Sequence, residues 1–199
     1  MKRNLPIYQA VISDEDTGMF TISLVDSPAV ESDFLCFKKD VKDMCFRVEN
    51  DEKRIVTGVI MRADYPIYRI APDGYEYYIT FNRDTIQQMA EKWLKEGLQG
   101  NVNLQHNSDA YVDDVLLKEV YFKDSERGIT PKGFENIEEG SLFATYHILN
   151  DEVWKSIKDG SFKGFSLEGR FNFYEQTQED RDYDEIMSLL DRIEKIKNK

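Results

Sequence analysis

Ser166 is the first candidate for chemistry, because it lies in an apolar stretch between two glycines. The stretch runs from Lys163 to Arg170 and reads Lys-Gly-Phe-Ser-Leu-Glu-Gly-Arg. Glycine has no Cβ, so backbone or substrate can approach closely at Gly164 and Gly169, and a small hydroxyl between them could act as a nucleophile. Backbone N–H groups near Gly169 and Arg170 are the predicted donors to an oxyanion. The alternative is a β-strand that bends at each glycine and carries a serine facing water.

A serine nucleophile needs a base, since its hydroxyl is almost wholly protonated at neutral pH. Imidazole is the usual base, and the sequence contains two histidines, His106 and His147. His106 follows the alternating residues 101–105, so we predict an accessible base where a strand meets a polar loop. His147 stands in the middle of a predicted strand, which favours a packed role. Both precede Ser166, which excludes the lipase-type nucleophile elbow, where the histidine follows the serine.

A third group usually orients the base by accepting its other N–H. Glu119 is our first candidate, because a carboxylate in an apolar strand is costly to bury unless it is paired. A hydrogen bond from His106 would supply the partner if the two strands are neighbours. The alternative is a Glu119 that faces water, and His147 and Asp26 are the other candidates.

The surrounding elements predict a β-rich α+β fold with mostly antiparallel strands. Single apolar faces predict helices over 84–96 and 151–158, capped by Asp84 and Asp151. Three of the predicted strands, within 54–81, indicate an antiparallel meander, and the lack of regular strand–helix alternation disfavours a doubly wound sheet. β-Branched and aromatic runs predict strands at 7–12, 19–25, 54–62, 66–70, 75–81, 115–122, 141–149 and around Ser166.

The sequence predicts one domain over residues 1–174 and a tail over 175–199. Residues 175–182 are polar and acidic, which is typical of a linker. Residues 183–197 predict an amphipathic helix that could pack on the domain or on another chain. Its apolar stripe consists of Ile186, Leu189, Leu190, Ile193 and Ile196.

Composition narrows the class of protein further. The formal net charge of −12 argues against a general nucleic-acid binder and against binding to an anionic membrane. The sequence has no apolar run of about 18 residues and no apolar segment after its charged start, so neither a transmembrane helix nor a signal peptide is predicted. Cys36 and Cys45 are predicted free thiols of a cytosolic protein, and short apolar segments at 34–38 and 44–49 indicate a hairpin. No metal or nucleotide motif is present, so no cofactor is expected.

Four stretches in this order resemble the phage prohead (capsid maturation) serine proteases, specifically the XkdF-like prophage proteases. The resemblance covers most of residues 7–174. The stretches are Ile22-Ser23-Leu24-Val25-Asp26-Ser27-Pro28-Ala29, Asn103-Leu104-Gln105-His106, Val153-Trp154 with Lys158-Asp159-Gly160, and Gly164-Phe165-Ser166-Leu167-Glu168-Gly169.

The resemblance implies a herpesvirus-assemblin-like β-barrel with two or three flanking helices. It implies a serine endopeptidase that trims scaffold and major capsid proteins, and often itself, inside the immature prohead in the bacterial host cytoplasm. Ser166 would be the nucleophile and His106 the base. In related prohead proteases the stretch like 22–29 follows the serine, so we interpret its position here as a circular permutation. The position of the usual acidic third member matches Thr21, which leaves that member open.

Two other classes remain as alternatives. A capsid-assembly or scaffold-associated protein on the same fold would use Ser166 and His106 structurally and the tail helix as its main surface. That reading differs from the protease in whether Ser166 and His106 come within hydrogen-bond reach. An unrelated β-rich binding module is the third reading, and a basic groove would favour it for nucleic acid.

Overall fold

The structure is a computed structural model that describes residues 5–13, 15–26 and 47–197. Cys36, Cys45 and the first arm of the predicted hairpin lie outside the described residues. The α-helices are α1 (Arg83–Lys95), α2 (Asp151–Lys158) and α3 (Gln178–Lys197), with a 3₁₀ turn at Leu98–Gly100. The strands are β1 (Ile7–Val11), β2 (Gly18–Val25), β3 (Arg47–Asn50), β4 (Ile55–Met61), β5 (Ile67–Ile70), β6 (Glu76–Thr80), β7 (Val102–Leu104), β8 (Asn107–Tyr111), β9 (Val115–Phe122), β10 (Leu142–Ile148), β11 (Gly164–Arg170) and β12 (Asn172–Glu175).

The described strands form three four-stranded sheets, with the orders β12-β1-β6-β5, β3-β4-β10-β9 and β11-β2-β7-β8. Most neighbours are antiparallel, as predicted, and the parallel pairs among the described strands are β1–β6 and β2–β7. None of these sheets closes on itself, so the described residues do not form the predicted barrel. Closure would need an unbroken ladder around the axis, whereas each sheet here ends in an edge strand.

The predicted meander over residues 54–81 is also wrong. β5 and β6 form an antiparallel hairpin, but β4 leaves them and pairs with β3 and β10. β4 and β10 are buried along nearly their whole lengths. A strand that is buried in this way needs neighbours on both sides to satisfy its backbone, which favours the central pairing of β4 with β10.

The helices begin at different caps from those predicted. The side chain of Asn82 caps α1 by accepting a hydrogen bond from the Thr85 N–H at 2.8 Å, and Asn150 caps α2 in the same way. Asp84 and Asp151 therefore lie in the first turns, where their charges stabilise the positive helix end.

The tail helix begins five residues earlier than predicted, at Gln178 rather than Tyr183. Reciprocal hydrogen bonds join Thr177 and Asp180, as in a capping box, and they convert part of the predicted linker into helix. The described side chains of its stripe are exposed: Ile186, Leu189, Leu190 and Ile193. Among the described helices, none has the length and apolar character that a membrane span requires.

The sheet β11-β2-β7-β8 is anchored to the hydrophobic core by its strand β2. α1 contacts β2 and buries Ile86, Met89 and Trp93 completely. Ile22 and Leu24 of β2 are also fully buried in the same apolar cluster. Each such side chain contributes roughly 1.5–3 kcal/mol to folding. β2 is therefore a rigid central strand against which β11 and β7 are registered.

Candidate active site

Three of the four stretches that carry the family resemblance lie on neighbouring strands of one sheet. β11 pairs with β2, and the register sets Ser166 directly opposite Ser23. β2 pairs in turn with β7, and Ser23 is the partner of Asn103. Side chains directly opposite one another in a sheet share a face, and residues two apart on a strand do as well. Ser166, Glu168, Ser23 and Asn103 therefore lie on the same face.

A compact polar cluster joins Ser23, Asn103, His106 and Glu168. The hydroxyl of Ser23 lies 2.6 Å from Asn103 Oδ1, 2.7 Å from Glu168 Oε1 and 3.0 Å from His106 Nδ1. Asn103 Nδ2 donates to Glu168 Oε1 at 2.7 Å. His106 Nδ1 also lies 3.3 Å from Glu168 Oε1. The carboxylate thus receives hydrogen bonds from two strands and faces the imidazole.

These contacts assign the tautomer of His106. Asn103 Oδ1 and the Glu168 carboxylate can only accept, and Ser23 has a single hydroxyl proton to offer them. An unprotonated Nδ1 would be a third acceptor competing for the hydroxyl proton of Ser23. Its lone pair would also point at a lone pair of the Glu168 carboxylate, which is repulsive. We therefore place the proton on Nδ1, which donates to Ser23 Oγ and Glu168. In the neutral ring Nε2 is then the basic nitrogen.

Glu168 is held in its ionised form by these neighbours. Partial burial alone would raise its pKa, but the hydrogen bonds from Ser23, Asn103 and His106 outweigh that effect and hold the pKa below its ordinary value. A carboxylate that stays charged beside Nδ1–H stabilises the imidazolium that forms when Nε2 takes up a proton. This is the electrostatic role of the acidic member in a catalytic triad.

His106 occupies an unusual backbone position. Gln105 and His106 form the two-residue connection between β7 and β8, and both have positive φ, 53° and 56°. Positive φ at both central residues is the signature of a type I′ hairpin turn, which favours asparagine and glycine. Residues held in the left-handed region cost of order 1–3 kcal/mol each, and such strain clusters at active sites. The turn directs His106 back over β2.

Ser166 differs from Ser23 in having no hydrogen-bond partner among the described residues. Its side chain is 1% exposed, and its hydroxyl contacts no donor or acceptor of the described residues. No hydrogen bond joins Ser166 to His106. An unpaired buried hydroxyl costs about 1–3 kcal/mol, and native structures rarely retain one without a reason.

A cavity of about 420 Å³ lies beside Ser166. Five consecutive residues of β11, from Phe165 to Gly169, contribute to its wall. Because successive side chains of a strand alternate between faces, a cavity lined by consecutive residues runs along the edge of the strand. β11 is the edge strand of its sheet among the described strands. The serine, whose hydroxyl has no partner among the described residues, thus lines a cavity between the edge strand β11 and β4.

Gly169 is required by a close backbone approach. The register of β11 against β2 shifts between Glu168 and Gly169, which marks a bulge. A Cβ at Gly169 would lie 2.3 Å from the carbonyl oxygen of Gly18. The predicted bend at this glycine is therefore present. Of the two predicted oxyanion positions, Gly169 lines the cavity, whereas Arg170 is exposed and outside its wall.

The structure does not bring the other predicted residues to His106. Glu119 is exposed on β9, in the sheet β3-β4-β10-β9, whereas His106 follows β7 in another sheet. The condition for its role, neighbouring strands, is not met, because β9 and β7 belong to different sheets. His147 is on β10 in the same sheet as Glu119. Asp26 is exposed at the end of β2.

Glu168, Ser23 and Asn103 are the site residues that sequence reasoning missed. Each lies inside a stretch already singled out by its motif. The usable signal was the two-residue period of a strand, which puts Glu168 on the same face as Ser166. In the described part of the chain, no group of three or more histidine, cysteine, aspartate or glutamate side chains is arranged to hold a metal ion.

Comparison with known proteins identifies the class. A family model described as "Putative phage serine protease XkdF" matches residues 42–175, and the chain therefore belongs to this family. Among curated proteins it is similar to the phage-like element PBSX protein XkdF of Bacillus subtilis (strain 168), with 26% identity over 165 residues. The match covers 78% of this chain and 53% of that relative, so the chain spans about half the relative's length. No solved structure matches.

Proposed function

We propose that this protein is a serine endopeptidase that processes scaffold and major capsid proteins during phage prohead maturation, with Ser166 as nucleophile and His106 as base. The observation that supports the proposal is the placement of His106. Its Nδ1 is held by Glu168 and Ser23, which leaves Nε2 as a basic nitrogen on a sheet that also carries Ser166. The family name and the cavity beside Ser166 agree with a peptidase.

Acyl transfer would follow the usual sequence. Ser166 Oγ attacks the scissile carbonyl carbon while His106 Nε2 takes up the hydroxyl proton, and the same proton passes to the leaving amine. Water then attacks the acyl-enzyme, gives its proton to Nε2, and releases the new carboxyl group and Ser166. The backbone N–H of Gly169 is our proposed donor to the oxyanion.

Ser166 and His106 must come closer for this reaction than they lie in the unliganded chain. A base needs about 2.6–3.2 Å to the proton donor, and such contacts often tighten only when substrate binds. The His106 side chain is 42% exposed, which leaves it room to turn. We propose that a peptide in the cavity covers the imidazole and brings Nε2 to Ser166 Oγ.

Glu168 is our candidate for the acidic third member. The position that corresponds to the usual acid is Thr21, and Glu168 is the direct cross-strand partner of Thr21 on β11. A carboxylate from the neighbouring strand would therefore replace the missing one at nearly the same place on the sheet. Glu168 takes the role that sequence analysis gave to Glu119.

A non-catalytic capsid-assembly or scaffold-associated protein is the second candidate. The observation in its favour is the missing hydrogen bond between Ser166 and His106, together with the low exposure of Ser166. In that case the cluster around Ser23 would serve only to register β11, β2 and β7. The exposed stripe of α3 would be its main interaction surface.

The test is co-expression of the full chain with its neighbouring scaffold and capsid proteins, followed by intact mass measurement. Ser166→Ala is the test variant, and Ser161→Ala, at an exposed position on the preceding loop, is the matched control. We expect defined truncations with the wild type and with Ser161→Ala that are absent with Ser166→Ala. Equal masses for all variants in assembled particles would overturn the protease and leave the assembly protein.

A further inference from the structure

The cavity beside Ser166 is mainly apolar. Its wall includes almost completely buried side chains from β4, β5 and β6, together with the exposed ring of Phe173. The apolar residues of the wall are Ile60, Met61, Ile67, Ile79, Phe81, Phe165, Leu167, Phe171 and Phe173. About 420 Å³ is within the range of pockets that enclose small ligands, and it is large enough for one bulky side chain.

The charged residues of the wall are already engaged. Arg62 makes a two-pronged ion pair with Glu138, at 2.6 and 2.7 Å, and its guanidinium lies 3.6 Å from the centre of the Tyr65 ring. Glu168 is held by Ser23 and Asn103. Arg69 donates to the carbonyl oxygen of Tyr68. A side chain that enters the cavity therefore meets mostly hydrocarbon, and the charged groups of the wall already have hydrogen-bond partners.

β11 is an edge strand among the described strands, so its main-chain groups beside the cavity can pair with an extended peptide. In the described chain β11 is hydrogen-bonded to β2, β4 also lies close to it, and residues of both β4 and β11 line the cavity. A peptide that adds to such an edge gains main-chain hydrogen bonds, and alternate side chains enter pockets. Ser166 is part of the same wall and its hydroxyl has no partner among the described residues. An unpaired buried hydroxyl at an apolar pocket indicates a polar group of the ligand beside an apolar one.

The geometry points to a substrate-recognition site in this cavity, which takes a large apolar side chain next to the scissile peptide bond while the substrate backbone lies along the edge of β11. This inference rests on the proposed function and adds its substrate class: extended segments that carry a leucine-, methionine- or phenylalanine-sized residue at the cleavage site. The scissile carbonyl would then stand at Ser166.

Binding can be tested without turnover by NMR of isoleucine methyl groups in the full chain. The probes are N-acetyl-leucinamide and N-acetyl-phenylalaninamide, compared with N-acetyl-glutamic acid amide. We expect the apolar probes to shift the methyl signals of Ile60, Ile67 and Ile79 in a saturable manner. The glutamate probe should bind at least about tenfold more weakly, since burying an unpaired charge is costly. No shift at these methyls, or stronger binding of glutamate, would overturn the inference.

A pair of variants on β5 localises the effect. Ile67→Trp fills the cavity from a position that is 6% exposed, whereas Ile70→Trp adds the same ring to the same strand at a position that is 60% exposed. We expect Ile67→Trp to weaken the apolar probes at least about tenfold, as hydrophobic pockets discriminate by that order. Ile70→Trp should leave binding unchanged, and thermal unfolding checks that both variants fold. Equal effects of the two variants would contradict the assignment.

A separate reagent distinguishes failure of the site from failure of the protease. A small alkyl fluorophosphonate reports only whether a serine is activated. Apolar probes that bind at the isoleucine methyls without any serine labelling would support the pocket and reject the catalysis. Serine labelling at Ser166 without any methyl shift would support the catalysis and reject the pocket.

Discussion

Two serines face each other across one strand pair, yet their surroundings are opposite. Ser23 on β2 is 0% exposed and has three polar neighbours within 3.0 Å. Ser166 on β11 is almost equally buried but has no polar partner in the described chain. Ser23 thus stabilises the folded state, whereas the hydroxyl of Ser166 lowers its stability. The comparison agrees with our proposal, in which the first serine holds the site together and the second is the nucleophile.

The largest effect is expected when the charge of Glu168 is removed. Glu168→Gln should lower processing of co-expressed substrate by about 10²–10⁴-fold, because the imidazolium loses its counter-charge and Nδ1 its orienting acceptor. Glu119→Gln is the matched control, since Glu119 is exposed in a different sheet. The measurement is the rate at which truncated product accumulates. Equal losses in both variants, or none in either, would refute the role of Glu168.

The two serines should respond oppositely to alanine in their effect on folding. Ser23→Ala should lower the free energy of unfolding by about 1–3 kcal/mol, because Asn103 Oδ1 and Glu168 lose a buried donor. Ser166→Ala removes an unpaired hydroxyl and should leave stability unchanged or raise it by up to about 1 kcal/mol. Urea unfolding of both variants measures the difference. A Ser166→Ala variant as unstable as Ser23→Ala would show that Ser166 has a structural partner.

The left-handed backbone conformation at His106 should lower the stability of the folded chain. Glycine adopts positive φ without the penalty of a Cβ, so His106→Gly should be about 1 kcal/mol more stable than His106→Ala in thermal or urea unfolding. Both variants lose the imidazole and should lose processing alike. Both variants lose the same hydrogen bonds, so the difference between their stabilities measures the cost of the positive φ at residue 106. Equal stabilities would mean that the left-handed conformation at His106 is not strained.

The smallest expected effect is on the free energy of unfolding at acidic pH. Because the folded-state pKa of Glu168 is lowered, its stabilisation is complete above the unfolded-state value, near 4.5, and is lost as the pH falls through the folded-state pKa. Glu168→Gln should therefore flatten the decline of unfolding free energy below about pH 4.5. Urea unfolding between pH 3 and 7 tests this. A decline as steep as in the wild type would contradict the lowered pKa.

The sequence predicted elements better than it predicted their arrangement. Strand and helix positions follow from side-chain type and period, so the predicted bounds of β2, β9 and α1 agree with the structure within one or two residues. Sheet order depends on contacts far apart in the chain, and β4 was accordingly assigned to the wrong neighbours. The caps moved to Asn82 and Asn150 because cap choice depends on a few backbone angles that composition does not fix.

For the candidate site, motif resemblance selected three stretches that the structure brings together, but not all of the side chains that contact His106 there. His106 and Ser166 were chosen by their chemistry, and the structure puts both on one sheet, although not in contact. The structure does not bring Glu119 to His106, because that prediction depended on strand adjacency, which only the fold decides. The spacing of two residues between Glu168 and Ser166 puts both side chains on one strand face, and this is the sequence signal that favours Glu168.

The most direct test of the account is to label the full chain with an alkyl fluorophosphonate in assembling particles and to map the modified residue by mass spectrometry. The account predicts modification of Ser166, at the cavity, and its loss in His106→Ala. Modification of Ser23 instead would make the serine in contact with His106 the nucleophile and overturn the division of roles between the two serines. Processing without any labelled serine in the chain would contradict the assignment of a serine peptidase.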